Sequence, residues 1–226
     1  MSRPACLAAI ALLACRVAVA DEVLRYDFAG ARPFIADLSG HLNHGLAHEA
    51  ARVMDEGRSC LSLGEHSYVR LPEAELLLGT RPERGYVELS VKPGFDPGAL
   101  SSDTWEGWVA LIYIQKTSGN GLPDGPNEIG LALHGPKLIA KVAGPTDFGP
   151  FAAIDSPLRQ GQWTTLRMEW QPGRRSLYVD GNLAAEKLGE YAPPELDMFP
   201  AYLGRHPSSG KWNFQGLVAD VKVGRN

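Results

Sequence analysis

The sequence predicts an all-β protein made of two antiparallel sheets packed face to face, and three observations lead there. Apolar residues recur at every second position in many short runs, the pattern of a strand with one face in a core and the other in solvent. The chain of 226 residues carries 25 glycines and 17 prolines, a supply of turn residues that suits short strands better than long helices. About twelve such runs are present, and that many strands cannot form one open sheet without curling, so two layers are expected.

Taken in chain order, residues 1–20 read as a signal peptide. Arg3 precedes an apolar run ending at Ala14, and Ala18-Val19-Ala20 offers a small-x-small cleavage site before Asp21. A rival reading takes Leu12-Leu13-Ala14-Cys15 as a lipid-attachment site with the anchor on Cys15. Either route carries the protein out of the cytoplasm, to a secreted, periplasmic or envelope-anchored location. Residues 21–226 form a single domain, because no Ser-rich or charge-run linker divides them.

Within that domain, strands are expected at 23–28, 58–63 and 68–71, with a short helical turn inside 71–78. In 86–92, Val87, Leu89 and Val91 point one way and Glu88, Ser90 and Lys92 the other. Further strands follow at 108–115, 128–134 and 138–143. Lys116 to Asn127, rich in Gly, Pro and Asn, reads as a long surface loop. Leu166, Met168 and Trp170 alternate with Arg167 and Glu169, and Asp180-Gly181 joins strands at 177–179 and 183–187 by a tight hairpin turn. Closing strands are expected at 201–204 and 214–223, with Asp220 on the face of Val218 and Lys222, away from Leu217, Ala219 and Val221.

The net charge of −4 gives no basic field to gather nucleic acid, which excludes that class of partner. After cleavage only Cys60 remains, so no intrachain disulfide forms, and Cys60 reads as a small buried hydrophobe. There is no Gly-x-Ser-x-Gly elbow, and Gly119-Asn120-Gly121 lacks the lysine of a phosphate loop. His41, His44 and His48 lie among turn residues and read as loop histidines rather than zinc ligands. His66, His134 and His206 stand alone.

Several segments, in order, resemble the laminin-G-like, concanavalin A-like jelly-roll domains: Tyr26-Asp27-Phe28, Asp37 to Gly45, Ser67 to Pro72, Gln162 to Leu166, Leu177 to Gly181, Tyr202 to Arg205 and Phe214 to Val223. The resemblance spans about residues 22–224. It implies a jelly-roll sandwich and binding of a glycan or of an extracellular or envelope protein. It also implies one structural Ca²⁺ on oxygen donors, with Asp37, Asn43 and Asp220 at the matching positions.

Sugar-cleaving relatives of this fold place three acids as Glu-x-Asp-x-x-Glu on a strand. Glu195-Leu196-Asp197 lacks the third acid and runs into Pro200, and Glu73-Ala74-Glu75 also falls short. Recognition without catalysis is therefore expected, carbohydrate first. A protein-binding or structural envelope module is the alternative, and a polysaccharide-active enzyme with an unrecognised site the third reading. Sugar faces stack on aromatic rings flanked by polar groups. Trp105, Trp212, Asn120, Asp124 and Asn127 are the ligand-binding candidates, whereas Trp108, Trp163 and Trp170 are expected in the core because they open or occupy apolar strand patterns.

Overall fold

The computed structural model describes residues 21–30, 34–102, 107–117, 123–147, 149–207 and 213–225. The expected signal peptide with Cys15, and Trp105, Asn120 and Trp212, lie outside the described residues, as does the side chain of Asp124.

The first half of the chain forms β1 (Asp21–Tyr26), β2 (Phe34–Ile35), β3 (Gly45–His48), β4 (Ala51–Asp55), β5 (Arg58–Leu63), β6 (Tyr68–Leu71), the short helix α1 (Ala74–Leu78) and β7 (Gly85–Pro93). The second half forms β8 (Trp108–Thr117), β9 (Pro123–His134), β10 (Lys137–Ala143), β11 (Ala152–Asp155), β12 (Thr164–Gln171), β13 (Arg174–Val179), β14 (Asn182–Leu188), β15 (Ala201–Leu203) and β16 (Gly216–Arg225). These strands make two antiparallel sheets of eight, which confirms the expected sandwich. The first sheet runs β14-β13-β12-β7-β16-β5-β4, with β1 also on β16, and the second runs β11-β10-β9-β8-β15-β6-β3-β2. The chain passes from sheet to sheet repeatedly, as at β5 to β6, β6 to β7 and β15 to β16. Each half-apolar strand thereby covers the apolar face of the opposite layer.

One continuous cluster of buried side chains fills the space between the layers. Val87, Leu89, Val91, Leu166 and Met168 come from the first sheet, and Ile112, Ile114, Leu131 and Leu133 from the second. Each fully buried aliphatic side chain of this kind contributes about 1.5–3 kcal/mol. Trp170 is in this core, its indole N–H donating to the Pro82 carbonyl at 3.1 Å. Helix α1 closes one end by burying Ala74, Leu77 and Leu78. Cys60 is buried and free, its thiol pushed up chiefly by that burial. Asp180 and Gly181 both adopt positive φ, 48° and 77°, which a two-residue hairpin turn between β13 and β14 requires.

Several expectations need correction. Residues 116–127 are not one long loop, because β8 runs to Thr117 and β9 begins at Pro123. Trp163 is half-buried outside the core, its indole N–H donating to Asp55 Oδ2 at 2.8 Å, with Arg58 stacked over the ring. Trp108 also lies outside the main core, as described below. Strict alternation fails in β16, where Val218 and Ala219 are both buried. A bulge between Ala219 and Lys222 puts Asp220 at φ 51° and shifts the register, so that Val218, Val221 and Val223 all reach the core. Pairing along that edge of β16 passes from β5 to β1 across the same bulge.

Candidate functional site on the outer face of the second sheet

The face of the second sheet turned away from the core carries an aromatic and polar strip. One row crosses five strands through the paired residues Lys141, Gly130, Tyr113, Tyr202 and Arg70, from β10, β9, β8, β15 and β6. Glycine is required at the second place, because a Cβ on Gly130 would run into the Tyr113 ring that lies across it. With that space open, the Tyr113 hydroxyl reaches along β9 and donates to Glu128 Oε2 at 2.6 Å. Gln115 Nε2 donates to the same oxygen at 3.3 Å, and Lys141 Nζ to Glu128 Oε1 at 2.8 Å. Glu128 is only 4% exposed, so its charge is compensated by the ammonium inside a largely dry cluster.

Beyond this cluster, Trp108 and His134 are direct cross-strand partners with stacked rings, centroids 4.6 Å apart. Lys141 Nζ lies 5.4 Å from the Trp108 ring centroid, and Trp108 packs on Ala110, Tyr113 and Ala132. After β15 the Gly204 N–H bonds the Leu111 carbonyl at 2.7 Å, and the chain turns so that His206 covers the Tyr113 ring at 4.6 Å. Burial first, then the Lys141 charge, pushes His206 down to about 4, so it is neutral at pH 7. At the other end Tyr68 and Tyr202 meet edge to face, His48 stacks on Tyr68, and the Arg205 guanidinium sits 4.6 and 5.5 Å over the two tyrosine rings.

The outer face of the first sheet differs. A shallow depression lined by Glu88, Thr165, Arg167, Glu169, Tyr178 and Gly181 is bordered by a ladder in which Glu88 pairs with Lys222 and Arg167, and Arg167 also with Glu169. Its charges satisfy one another.

Of the residues singled out by sequence, Asn127 sits beside Glu128 on β9, but its Oδ1 accepts from the Glu195 N–H at 3.0 Å and clasps a loop. Glu195 and Asp197 lie in that loop, not on a strand. His41, His44 and His48 do not converge: His44 Nδ1 accepts from the Asp37 N–H, His48 is on Tyr68, and His41 faces Asp21. No cluster of three His, Cys, Asp or Glu suited to a metal occurs among the described residues.

Asp37 and Asn43 do come together, but as the frame of a loop. Asp37 Oδ1 accepts from the N–H of Arg25 and Ser39, and Oδ2 from Ser39 Oγ and the Asn43 N–H. Asp220 instead faces Arg58 at 3.7 Å. With both carboxylate oxygens of Asp37 doubly bonded to donors, this donor set does not fit a calcium ion, which needs free oxygen lone pairs. Burial pushes the Asp37 carboxyl up, but the four hydrogen bonds outweigh it and hold the group below its ordinary value. Its stabilisation is therefore present above the unfolded value of about 3.9 and is lost as pH falls through the lower folded value. Asp37→Ala is expected to cost about 2 kcal/mol at pH 7 and nothing at low pH, measured by urea unfolding across pH, with EDTA leaving both proteins unchanged.

The strip itself was hidden from sequence reasoning. His134 and His206 stand alone in the chain, and Tyr113, Glu128 and Lys141 are separated by more than ten residues each. The available signal was the set of polar residues Gln115, Glu128, His134 and Lys141 within the otherwise apolar β8, β9 and β10.

Comparison with known proteins places this geometry in a family. Residues 81–225 match the laminin-G model of the concanavalin A-like lectin/glucanases superfamily. No curated protein matches the chain. Among solved structures, domain 4 of AbnA, a GH43 extracellular arabinanase from Geobacillus stearothermophilus in complex with arabinotriose, is 16% identical with a TM-score of 0.58, covering 92% of this chain and 93% of that one. The botulinum neurotoxin serotype G binding domain is 12% identical with a TM-score of 0.65, covering 91% of this chain and 48% of that one. A mutant of Trypanosoma rangeli sialidase displaying trans-sialidase activity is 14% identical with a TM-score of 0.60, covering 90% of this chain and 30% of that one. This chain thus spans about half of the neurotoxin domain and under a third of the sialidase. At such identities the likeness is one of fold, and the fold is shared by binding modules and glycosidase-related domains. With the match running from just before β7 through β16, the chain belongs to the concanavalin A-like lectin/glucanases superfamily.

Proposed function

We propose that the protein is a noncatalytic carbohydrate-binding domain acting outside the cytoplasm, with the outer face of the second sheet as its receiving surface. The observation that carries this reading is the strip of partly exposed rings at Trp108, His134, Tyr68 and Tyr202, set among the polar groups of Lys141 and Arg205. Sugar recognition needs flat apolar faces beside hydroxyl-bonding groups, and a strip across several strands holds them rigidly. The arabinotriose in complex with domain 4 of the arabinanase, which is matched over 93% of its length, supports a sugar as the ligand class.

Absence of catalysis is argued from charge. Glycoside hydrolysis by an acid pair needs two carboxylates about 5–9 Å apart. Glu128 is held by Lys141, Tyr113 and Gln115, and no second carboxylate among the described residues bonds into that cluster. The leader-like residues 1–20 support export. No helix among the described residues is long and apolar enough to cross a membrane.

A glycan array followed by calorimetry tests the proposal. Trp108→Ala and Tyr202→Ala are each expected to weaken the captured sugar at least tenfold, about 1.4 kcal/mol, while the folded spectrum is kept. Unchanged affinity in both variants would remove this face as the site, and release of reducing ends from polysaccharide would replace binding with catalysis.

A further inference from the structure

Resting on that reading of the face, we infer that its ligand is an acidic glycan whose sugar carboxylate is held by Arg205. Most of the other partly buried cations of the fold carry carboxylate partners, as Lys92 with Asp55 and Glu56, Lys141 with Glu128, Arg174 with Glu186 and Arg175 with Asp147, while Arg52 donates to the carbonyls of Phe28, Ala29 and Phe34. Arg205 is half-buried and makes no hydrogen bond or ion pair with any described residue, and its Nε is buried without a partner. The Tyr68 and Tyr202 rings hold the guanidinium in place, 4.6 and 5.5 Å away. Cation–π contact offsets part of the cost of desolvating a charge but supplies no acceptor for its N–H donors. The planar fork is therefore preorganised for an anion, and it matches a carboxylate in bidentate fashion.

A second unpartnered group lies on the same face. Gln115 is 6% exposed, and its Oε1 has no hydrogen-bond partner while its Nε2 is engaged by Glu128. That oxygen is enclosed by the protein, so of the two unpartnered groups Arg205 is the one that faces a ligand. Glu128 does not repel the anion as a free charge would, because Lys141 compensates it at 2.8 Å. Arg205 follows Gly204, whose N–H is bonded to the Leu111 carbonyl of β8, so the backbone that carries the cation is tied to the sheet while the guanidinium lies over the tyrosine pair. A uronic-acid oligosaccharide lying along the strip would place its acid group on Arg205 and its ring faces on the aromatic side chains.

The experiment is calorimetry at low salt with the full chain against oligogalacturonate, its methyl ester, a sulfated heparin oligosaccharide and neutral arabinotriose. The free acid is expected to bind at least tenfold more tightly than the ester, with the difference shrinking as salt rises. Arg205→Gln is expected to abolish that difference by bringing the acid's affinity down to at least the ester's level while the thermal midpoint is kept, with Arg205→Lys intermediate. The acid-against-ester comparison on the unaltered protein stands even if the variants fold poorly. Equal binding of acid and ester, or of both to Arg205→Gln and the parent, overturns the acidic-ligand inference and leaves carbohydrate recognition intact. Tight binding of the sulfated chain without the galacturonate overturns the carboxylate assignment, and silence across all sugars overturns both readings.

Discussion

Glu128→Ala is expected to destabilise the protein by about 3–5 kcal/mol, the cost of stripping one partner from a buried ion pair. Lys141 has 15% of its side chain exposed and Glu128 6%, so the ammonium left behind remains largely enclosed. The Tyr113 hydroxyl, in a ring 1% exposed, loses its acceptor at the same time, as does Gln115 Nε2. Burial first, and the Glu128 charge second, raises the Tyr113 phenol well above its ordinary value, so it cannot ionise to compensate. Glu128→Gln retains the shape and one acceptor oxygen and is expected to lose about half as much. Urea unfolding with an unchanged slope measures both, and a loss under about 1 kcal/mol for Glu128→Ala would mean that the cluster relaxes to water.

Asp147→Ala is expected to cost a similar 3–5 kcal/mol at a different place and for a sharper reason. Arg175 has 3% of its side chain exposed, and its Nη1 donates to Asp147 Oδ2 at 2.5 Å and to the Val142 carbonyl at 2.8 Å. Its guanidinium lies 4.5 Å over Tyr191 and 5.8 Å over Phe151, and Nε already lacks a partner. Arg175 thus ties β13 of the first sheet to the end of β10 in the second. Removing Asp147 leaves an enclosed cation with one carbonyl. Arg175→Met should be milder, because Asp147 is 23% exposed and can turn to solvent while the methionine fills the apolar gap. A larger loss for Arg175→Met than for Asp147→Ala would show that the attraction, rather than the stranded charge, sets the cost.

Legibility differed between fold and site for a physical reason visible in particular strands. In β12, Thr164, Leu166, Met168 and Trp170 are buried and the intervening residues half-buried, as their alternation predicts. The hairpin at Asp180-Gly181 and the helical turn at α1 were equally readable, because local backbone preference decides both. The short strands β2, β3, β4 and β11 went unread, being too brief to show a period. Trp108 was misplaced because alternation separates two faces of a strand without saying which meets the other sheet. In β8 a register shift between Ala110 and Ile112 further changes which side chains share a face.

The sequence by itself determined a two-layer β protein and the positions of its best-marked strands and turns. Those follow from side-chain period and backbone preference within a few neighbouring residues. Only the tertiary structure decided that Tyr113, Glu128 and Lys141 meet, that Asp37 spends its oxygens on a loop, and that Arg205 rests on two tyrosines without a carboxylate. Strand register sets these encounters, and register comes from packing the whole sandwich, where bulges and a side-chain-free position such as Gly130 carry the information.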